Sequence, residues 1–204
     1  MSDLAEAVGR DVSRETFAKI EAFVDLLKDE NQRQNLISTS SSAHLWTRHI
    51  VDSAQILRHA QADGAWLDIG SGAGLPGMVL AILGVRHITL VEPRGLRTAF
   101  LERCVAALAL DNVEVVTGKV ERVSGTFDVI TARAVGSLDT LFRLGTPRLA
   151  AGGRWVLPKG RSAAKELAEA RTSWQGDFRL EPSLTDPDAR ILVASMVRRK
   201  VGRG

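Results

Sequence analysis

The chain has 204 residues, is 45% hydrophobic and carries a formal charge of +3, enough apolar material for one full core plus an appendage. No apolar run approaches the roughly 18 residues of a membrane-spanning helix, the N-terminal MSDLAEAVGRD lacks a charged-then-apolar leader profile, and a single cysteine excludes an internal disulfide and any multi-cysteine metal site. A soluble cytoplasmic protein with no bound metal and no membrane association is expected. Its charge is uneven. Residues 1–35 carry 8 acids and 5 bases, whereas residues 133–204 carry 14 bases and 7 acids. A basic C-terminal third points to a polyanionic partner such as nucleic acid, or to a solvated basic face.

Taken in order, the chain opens with an amphipathic helix over residues 13–34, with Ser13 as its cap and Phe17, Ile20, Val24 and Leu27 at helical spacing. Leu36 to Ser42 reads as a serine-rich loop. A second helix, Ala43 to Ala60, carries Leu45, Trp46, Ile50, Ala54 and Leu57 on its apolar side. Both precede the first strand, so residues 1–62 form a helical cap on an α/β unit spanning 63–204. Strands are expected at Ala65–Ile69, His87–Val91, Val113–Val116, Phe127–Ala132 and Arg154–Leu157. Helices are expected at Leu75–Leu83, Leu96–Leu108, Leu138–Leu149 and Ser162–Trp174. A closing strand pair, Phe178–Leu184 and Ile191–Arg198, turns at Asp186-Pro187. This alternation predicts a seven-stranded, mostly parallel, Rossmann-like sheet with helices on both faces.

The organising stretch is WLDIGSGAGLPG, Trp66 to Gly77, with Glu92 beyond it. A strand, a glycine turn, a helix and a second strand ending in an acid form a nucleotide-binding unit. Glycines allow the sharp turn and close ligand approach, and an acid at the second strand end suits ribose hydroxyls. Gly72-x-Gly74-x-x-Gly77 also satisfies the dinucleotide pattern, so the glycines alone do not choose the cofactor. Asp68 does discriminate. A carboxylate beside the turn repels a pyrophosphate but suits a cation, and S-adenosylmethionine carries an ammonium and a sulfonium and no phosphate. A methyltransferase is therefore favoured over an NAD(P)-dependent oxidoreductase, which would also need a substrate domain that the chain after Glu92 has no room for.

Ligands in such sheets sit at the carboxyl ends of the strands. That rule nominates Asp68, Gly70, Glu92, the Lys119-Val120-Glu121 segment, Arg133 and Lys159. Arg48, His49 and Asp52 on the second helix, and Asn35 at the end of the first, could face cofactor or substrate; surface or packing roles compete for them. Cys104, inside a helix, reads as core rather than nucleophile. The fourth strand ends in Thr131-Ala132-Arg133-Ala134, not in an Asn/Asp-Pro-Pro-aromatic turn suited to exocyclic amines. What remains is a methyl acceptor with its own lone pair, of which N7 of guanine is one; composition does not select it over others.

These features, read together, resemble the small-subunit ribosomal RNA methyltransferase G family. The similarity runs from about Asn31 to Gly160. It rests on Asn35-Leu36, Arg48-His49-x-x-Asp52-Ser53, the glycine stretch with its Leu75-Pro76-Gly77 extension, Arg97-x-x-Phe100-Leu101, Asn112 to Val116, Phe127-Asp128, Arg133-Ala134 and Lys159-Gly160. The resemblance implies a class I, S-adenosylmethionine-dependent enzyme that methylates N7 of a guanine in the 530 loop of 16S ribosomal RNA, leaving S-adenosylhomocysteine. It implies that Gly70 and Leu75, with Asp68, Gly72 and Gly74 around them, hold the cofactor from the glycine loop. It puts Glu92 at the ribose, Val120 and Glu121 beside the adenine and Arg133 at the methionine end. Asn35, Arg48, His49 and Lys159 become candidates for the target nucleotide. The partner implied is 16S rRNA, the small ribosomal subunit or its precursor, and a monomer is expected. A non-catalytic RNA-binding or ribosome-assembly protein on the same scaffold is the competing reading; the intact Asp68, glycine loop and Glu92 argue against it.

Overall fold

The computed structural model describes residues 1–38 and 44–200. Its seven strands are β1 (Ala65–Ile69), β2 (His87–Glu92), β3 (Val113–Thr117), β4 (Phe127–Thr131), β5 (Leu149–Lys159), β6 (Trp174–Pro182) and β7 (Arg190–Arg199). They form one sheet in the order β3-β2-β1-β4-β5-β7-β6. β1 to β5 pair in parallel, and β7 runs antiparallel to both β5 and β6. The helices are α1 (Ser2–Val8), α2 (Arg14–Gln34), α3 (Asp52–Ala54), α4 (Gly77–Ile82), α5 (Gly95–Ala107), α6 (Leu138–Gly145) and α7 (Ala163–Ser173). The order reverses between β1 and β4, so their carboxyl ends open a crevice there.

Local chemistry explains the element ends. The Ser13 hydroxyl accepts the Thr16 amide at 3.1 Å and starts α2. Asn35, at φ 50°, ends it in the left-handed conformation that Asn tolerates. β1, β2 and β4 are almost wholly buried, as strands covered on both faces must be. One apolar cluster joins Leu4, Ile20, Phe23 and Leu27 of the helical segment to Met78, Ile88 and Phe100 of the α/β unit. A second fills the opposite face, with Trp155, Phe142 and Leu192 at its centre.

Several extents differ from expectation. The residues expected to form one regular helix from Ala43 to Ala60 instead wind as a π-helix, Trp46–Val51, then α3, then a 3₁₀ turn, Gln55–Arg58. The changes of pitch leave Arg48 exposed while Ile50 and Val51 are buried. Residues 39–43, which include most of the expected loop and the start of that helix, lie outside the described residues. α1 was not anticipated; Leu4, Ala7 and Val8 bury its inner face. β5 begins five residues earlier than expected and runs through Gly152-Gly153. Those glycines are not a turn: a Cβ on Gly153 would lie 3.0 Å from the Asp128 carbonyl oxygen, so β4 can approach only a bare backbone. α4 starts at Gly77 rather than Leu75, for a reason that belongs to the site.

Candidate active site

Asp68 is the pivot. It is fully buried near the end of β1, and its Oδ2 accepts the Gly77 amide at 3.1 Å. Gly77 opens α4, so a carboxylate of the chain itself takes a free N–H at that helix start. The glycine is obligatory: a Cβ there would sit 2.3 Å from Leu90 Cδ2 and 2.6 Å from Asp68 Oδ2. Gly70, Gly72 and Gly74 all have positive φ, at 70°, 52° and 81°, which L-residues with side chains adopt at a cost. Asp68 Oδ1 is buried with no partner. Burial pushes the carboxyl up to about 7, against the hydrogen bond from the Gly77 amide and the charge of Arg133. The geometry weighs against a dinucleotide, because the Gly77 amide that a pyrophosphate would seek is already taken by the Asp68 carboxyl.

Glu92 is buried at the end of β2. Its Oε2 accepts the Gly72 amide at 3.1 Å, its Oε1 accepts the Arg94 amide at 3.0 Å, and Arg97 Nη1 lies 3.9 Å from Oε2. Each oxygen keeps a second lone pair for a hydroxyl. The Gly118 amide donates to the Glu92 carbonyl at 3.0 Å, which draws the turn after β3 alongside. There Val120 is buried and Glu121 exposed. Leu75 is buried beneath the glycine turn.

Arg133, just past β4, joins this crevice to the π-helix. Its Nη1 donates to the Arg48 carbonyl at 3.1 Å and to Asp52 Oδ2 at 3.4 Å, and its Nη2 donates to His49 Nδ1 at 2.6 Å. A guanidinium has no acceptor, so His49 Nδ1 must accept and the imidazole proton sits on Nε2. That Nε2–H is buried without a partner. Burial, with Arg133 and Arg48 adding to it, lowers the His49 pKa to about 4, so the ring is neutral at physiological pH. Ala134 follows at φ 58°, and Val135 folds over the turn so closely that a Cβ on Gly70 would meet its Cγ2 at 2.7 Å.

The remaining candidates divide. Lys159 Nζ donates to Glu166 Oε2 at 2.9 Å and to the Gly136 carbonyl at 3.3 Å, so it holds the segment after Arg133 rather than standing free. Arg48, Arg133 and Lys159 line one cavity of about 200 Å³, with Asp52 and residues of the β6–β7 connection. Asn35 is exposed, serves as the α2 cap and does not line that cavity. Cys104 is buried and its thiol is pushed up to about 12 by burial, as a core residue requires. Among the described residues, no group of three or more His, Cys, Asp or Glu side chains could hold a metal ion, and no helix is long and apolar enough to cross a membrane.

Sequence reasoning gave no role to the network behind Arg133. Asp52 Oδ1 accepts from Gln55 Nε2 and from Thr185 Oγ1, each at 2.8 Å, and the Leu184 amide donates to Gln55 Oε1 at 2.8 Å. Asp52 stood beside Arg48-His49 in a recognisable motif. Gln55 and Thr185 are 130 residues apart with no local signal in either.

Two complementary orphans thus sit within reach of one arginine. Arg133 donates to His49 and its charge acts on Asp68. An unmet acceptor, Asp68 Oδ1, and an unmet donor, His49 Nε2–H, are what an amino acid's ammonium and carboxylate require. The methionine end of S-adenosylmethionine fits that pair. With the strand order, the glycine turn and Glu92, the fold and site define a class I, Rossmann-like methyltransferase. A family model described as rRNA small subunit methyltransferase G matches residues 16–185. The Ribosomal RNA small subunit methyltransferase G of Rhizorhabdus wittichii is 48% identical over 198 residues, 95% of this chain and 91% of the relative. That of Zymomonas mobilis is 45% identical over 199 residues, 93% of this chain and 90% of the relative. Among solved structures, a variant of MtNAS in complex with S-adenosylmethionine superposes with a TM-score of 0.56 at 16% identity, covering 86% of this chain and 74% of that one; the likeness is one of fold. The chain belongs to the rRNA small subunit methyltransferase G family, a family of rRNA methyltransferases.

Proposed function

We propose that this protein transfers the methyl group of S-adenosylmethionine to N7 of a guanine in the 530 loop of 16S rRNA, acting as a monomer on the small ribosomal subunit or its precursor. Family membership supports the reaction. The observation that carries the cofactor is the pairing of the unmet Asp68 Oδ1 with the unmet His49 Nε2–H. S-adenosylmethionine supplies an electrophilic methyl on a sulfonium. Asp68 takes the ammonium of its methionine end, and His49 Nε2–H with Arg133 takes the carboxylate. Glu92 accepts the ribose hydroxyls, Gly70 and Leu75 line the turn beneath them, and Val120 and Glu121 flank the adenine. His49 therefore moves from the target side to the cofactor side. Arg48 stays with the RNA, Lys159 holds the wall of the target cavity, and Asn35 keeps a contact with the RNA outside it.

N7 of guanine carries a lone pair and no proton, so no general base is needed and positioning supplies most of the rate. In duplex RNA the N7 edge lies in a deep, narrow groove, so the target must be unpaired or splayed out. The test is methyl transfer from labelled S-adenosylmethionine to 30S subunits and to protein-free 16S RNA, with cleavage at N7-methylguanine mapping the product. One modified guanine in the 530 loop is expected. A modified base elsewhere, or a methyl on another atom, would sink the proposal.

A further inference from the structure

The cavity beside Arg133 holds a carboxylate that the reading above does not use. Six cavity residues matter: Arg48, Asp52, Arg133, Lys159, Asp186 and Arg190. Arg133 is the wall this cavity shares with the crevice at Asp68, so whatever enters it borders the methyl-donor position. Asp52, Lys159 and Arg190 are engaged, whereas no partner among the described residues takes the Arg48 guanidinium or the second oxygen of Asp186. Both Asp52 oxygens take protein donors, Oδ1 from Gln55 and Thr185 and Oδ2 from Arg133. Lys159 is paired with Glu166. Arg190 Nη1 donates to the Pro187 carbonyl at 2.6 Å and to the Ala189 carbonyl at 2.7 Å, which clamps the turn carrying Asp186. Asp186 itself is half-buried. Its Oδ1 accepts the Asp188 amide at 2.9 Å. No donor among the described residues reaches its Oδ2, although the cavity is lined by four cationic side chains.

A free carboxylate in a cationic pocket marks a ligand that brings donors of its own. The Watson–Crick edge of guanine does so through N1–H and the N2 amino group; adenine offers an acceptor at N1 instead. There is a second reason for an acid here. When the N7 lone pair forms the new C–N bond and the S–C bond breaks, the sulfonium becomes a neutral thioether and the positive charge passes to the guanine ring. N1–H and the N2 amino group become stronger donors as that charge develops, so a carboxylate accepting from them binds the transition state more tightly than the ground state. Resting on the methyltransfer reading above, we propose that this cavity receives the splayed-out target guanine and that Asp186 reads its N1–H/N2 edge, with Arg190 as the positioning residue that holds the turn.

The test uses the full chain, labelled S-adenosylmethionine and 16S RNA carrying either guanine or inosine at the target position, since inosine lacks only the N2 amino group. Wild-type protein should lose about tenfold to a hundredfold in kcat/KM on inosine. Asp186→Asn should lose a similar factor on guanine and no longer distinguish guanine from inosine, while binding S-adenosylhomocysteine as tightly as wild type, which reports an intact fold. Asp188→Asn, in the same turn but outside the cavity, should behave as wild type. Equal activity of the wild type on both RNAs, or an unchanged preference in Asp186→Asn, would overturn the assignment of Asp186 while leaving the methyltransfer reading intact. No transfer by wild-type protein to the guanine RNA would overturn both.

Discussion

At the residue scale, the proposed choice of cofactor turns on Asp68. One oxygen is held by the Gly77 amide and the other is buried and unmet. In the protein without ligand its carboxyl is raised by burial to about 7 from an ordinary value of 3.8. The folded state therefore holds a proton that the unfolded state releases between those values. This contribution to stability is complete below about 4 and is lost as pH rises through about 7. An ammonium placed on Oδ1 reverses the balance by favouring the ionised form. S-adenosylmethionine should therefore bind more tightly as pH rises from 6 to 8 and should release a proton from the protein. Calorimetry in buffers of different ionisation enthalpy measures that proton directly; proton uptake, or a buffer-independent heat at pH 6.5, would remove Asp68 from the ammonium. His49 runs the other way. Its pKa falls to about 4, so its contribution is complete above its unfolded value of about 6.5 and is lost only as pH falls through 4.

At the scale of elements, the π-helix is what delivers His49 and Arg48. An α-helix would run its N–H groups to the fourth residue back; the wider turn over Trp46–Val51 shifts the register and presents two adjacent residues to one guanidinium. Arg133 then ties that helix to the end of β4 through three acceptors. Removing it leaves the partly buried Asp52 carboxylate short of its cationic partner and frees the Arg48 carbonyl and the His49 ring. Arg133→Ala should cost on the order of 3 kcal/mol of stability. It should also depress methyl transfer more than it depresses RNA binding, both measured below the lowered melting temperature. Arg133→Lys should not restore transfer, because an ammonium cannot reproduce the planar fork. Equal loss of transfer and RNA binding would contradict the cofactor-side role.

For the whole molecule, we propose that the helical cap, residues 1–62, and the sheet, residues 63–204, fold as one compact unit. The support is a continuous apolar cluster running from Leu4 and Leu27 into Met78 and Phe100, reinforced by the Arg103–Glu30 ion pair at 2.5 Å and by Gln34 donating to the Leu96 carbonyl. Leu27 is fully buried in that cluster. Leu27→Ala should destabilise the whole chain by about 3 kcal/mol. Hydrogen exchange should then show amides of α2 and of β1 losing protection together. Early opening of α2 alone would divide the chain into two units.

The methyltransferase plan was legible from local chemistry because each of its signals is local. Apolar runs of strand length alternate with helical periodicities, the glycines recur at turn spacing, Asp68 lies one residue before the end of its strand and Glu92 closes the next. Short-range sterics and the alternation of burial set these within a few residues of one another, and the structure keeps them. The tertiary structure alone decided what depends on contacts between distant residues. Gly152-Gly153 became part of a strand because β4 approaches it. The second helix changed pitch where Arg133 had to meet His49 and Arg48. Lys159 was drawn to Glu166 and away from solvent. Thr185 reached Asp52 across 133 residues of chain. Such contacts leave no periodicity in the sequence, because their energy comes from packing and charge pairing that exist only once the sheet has brought its carboxyl ends together.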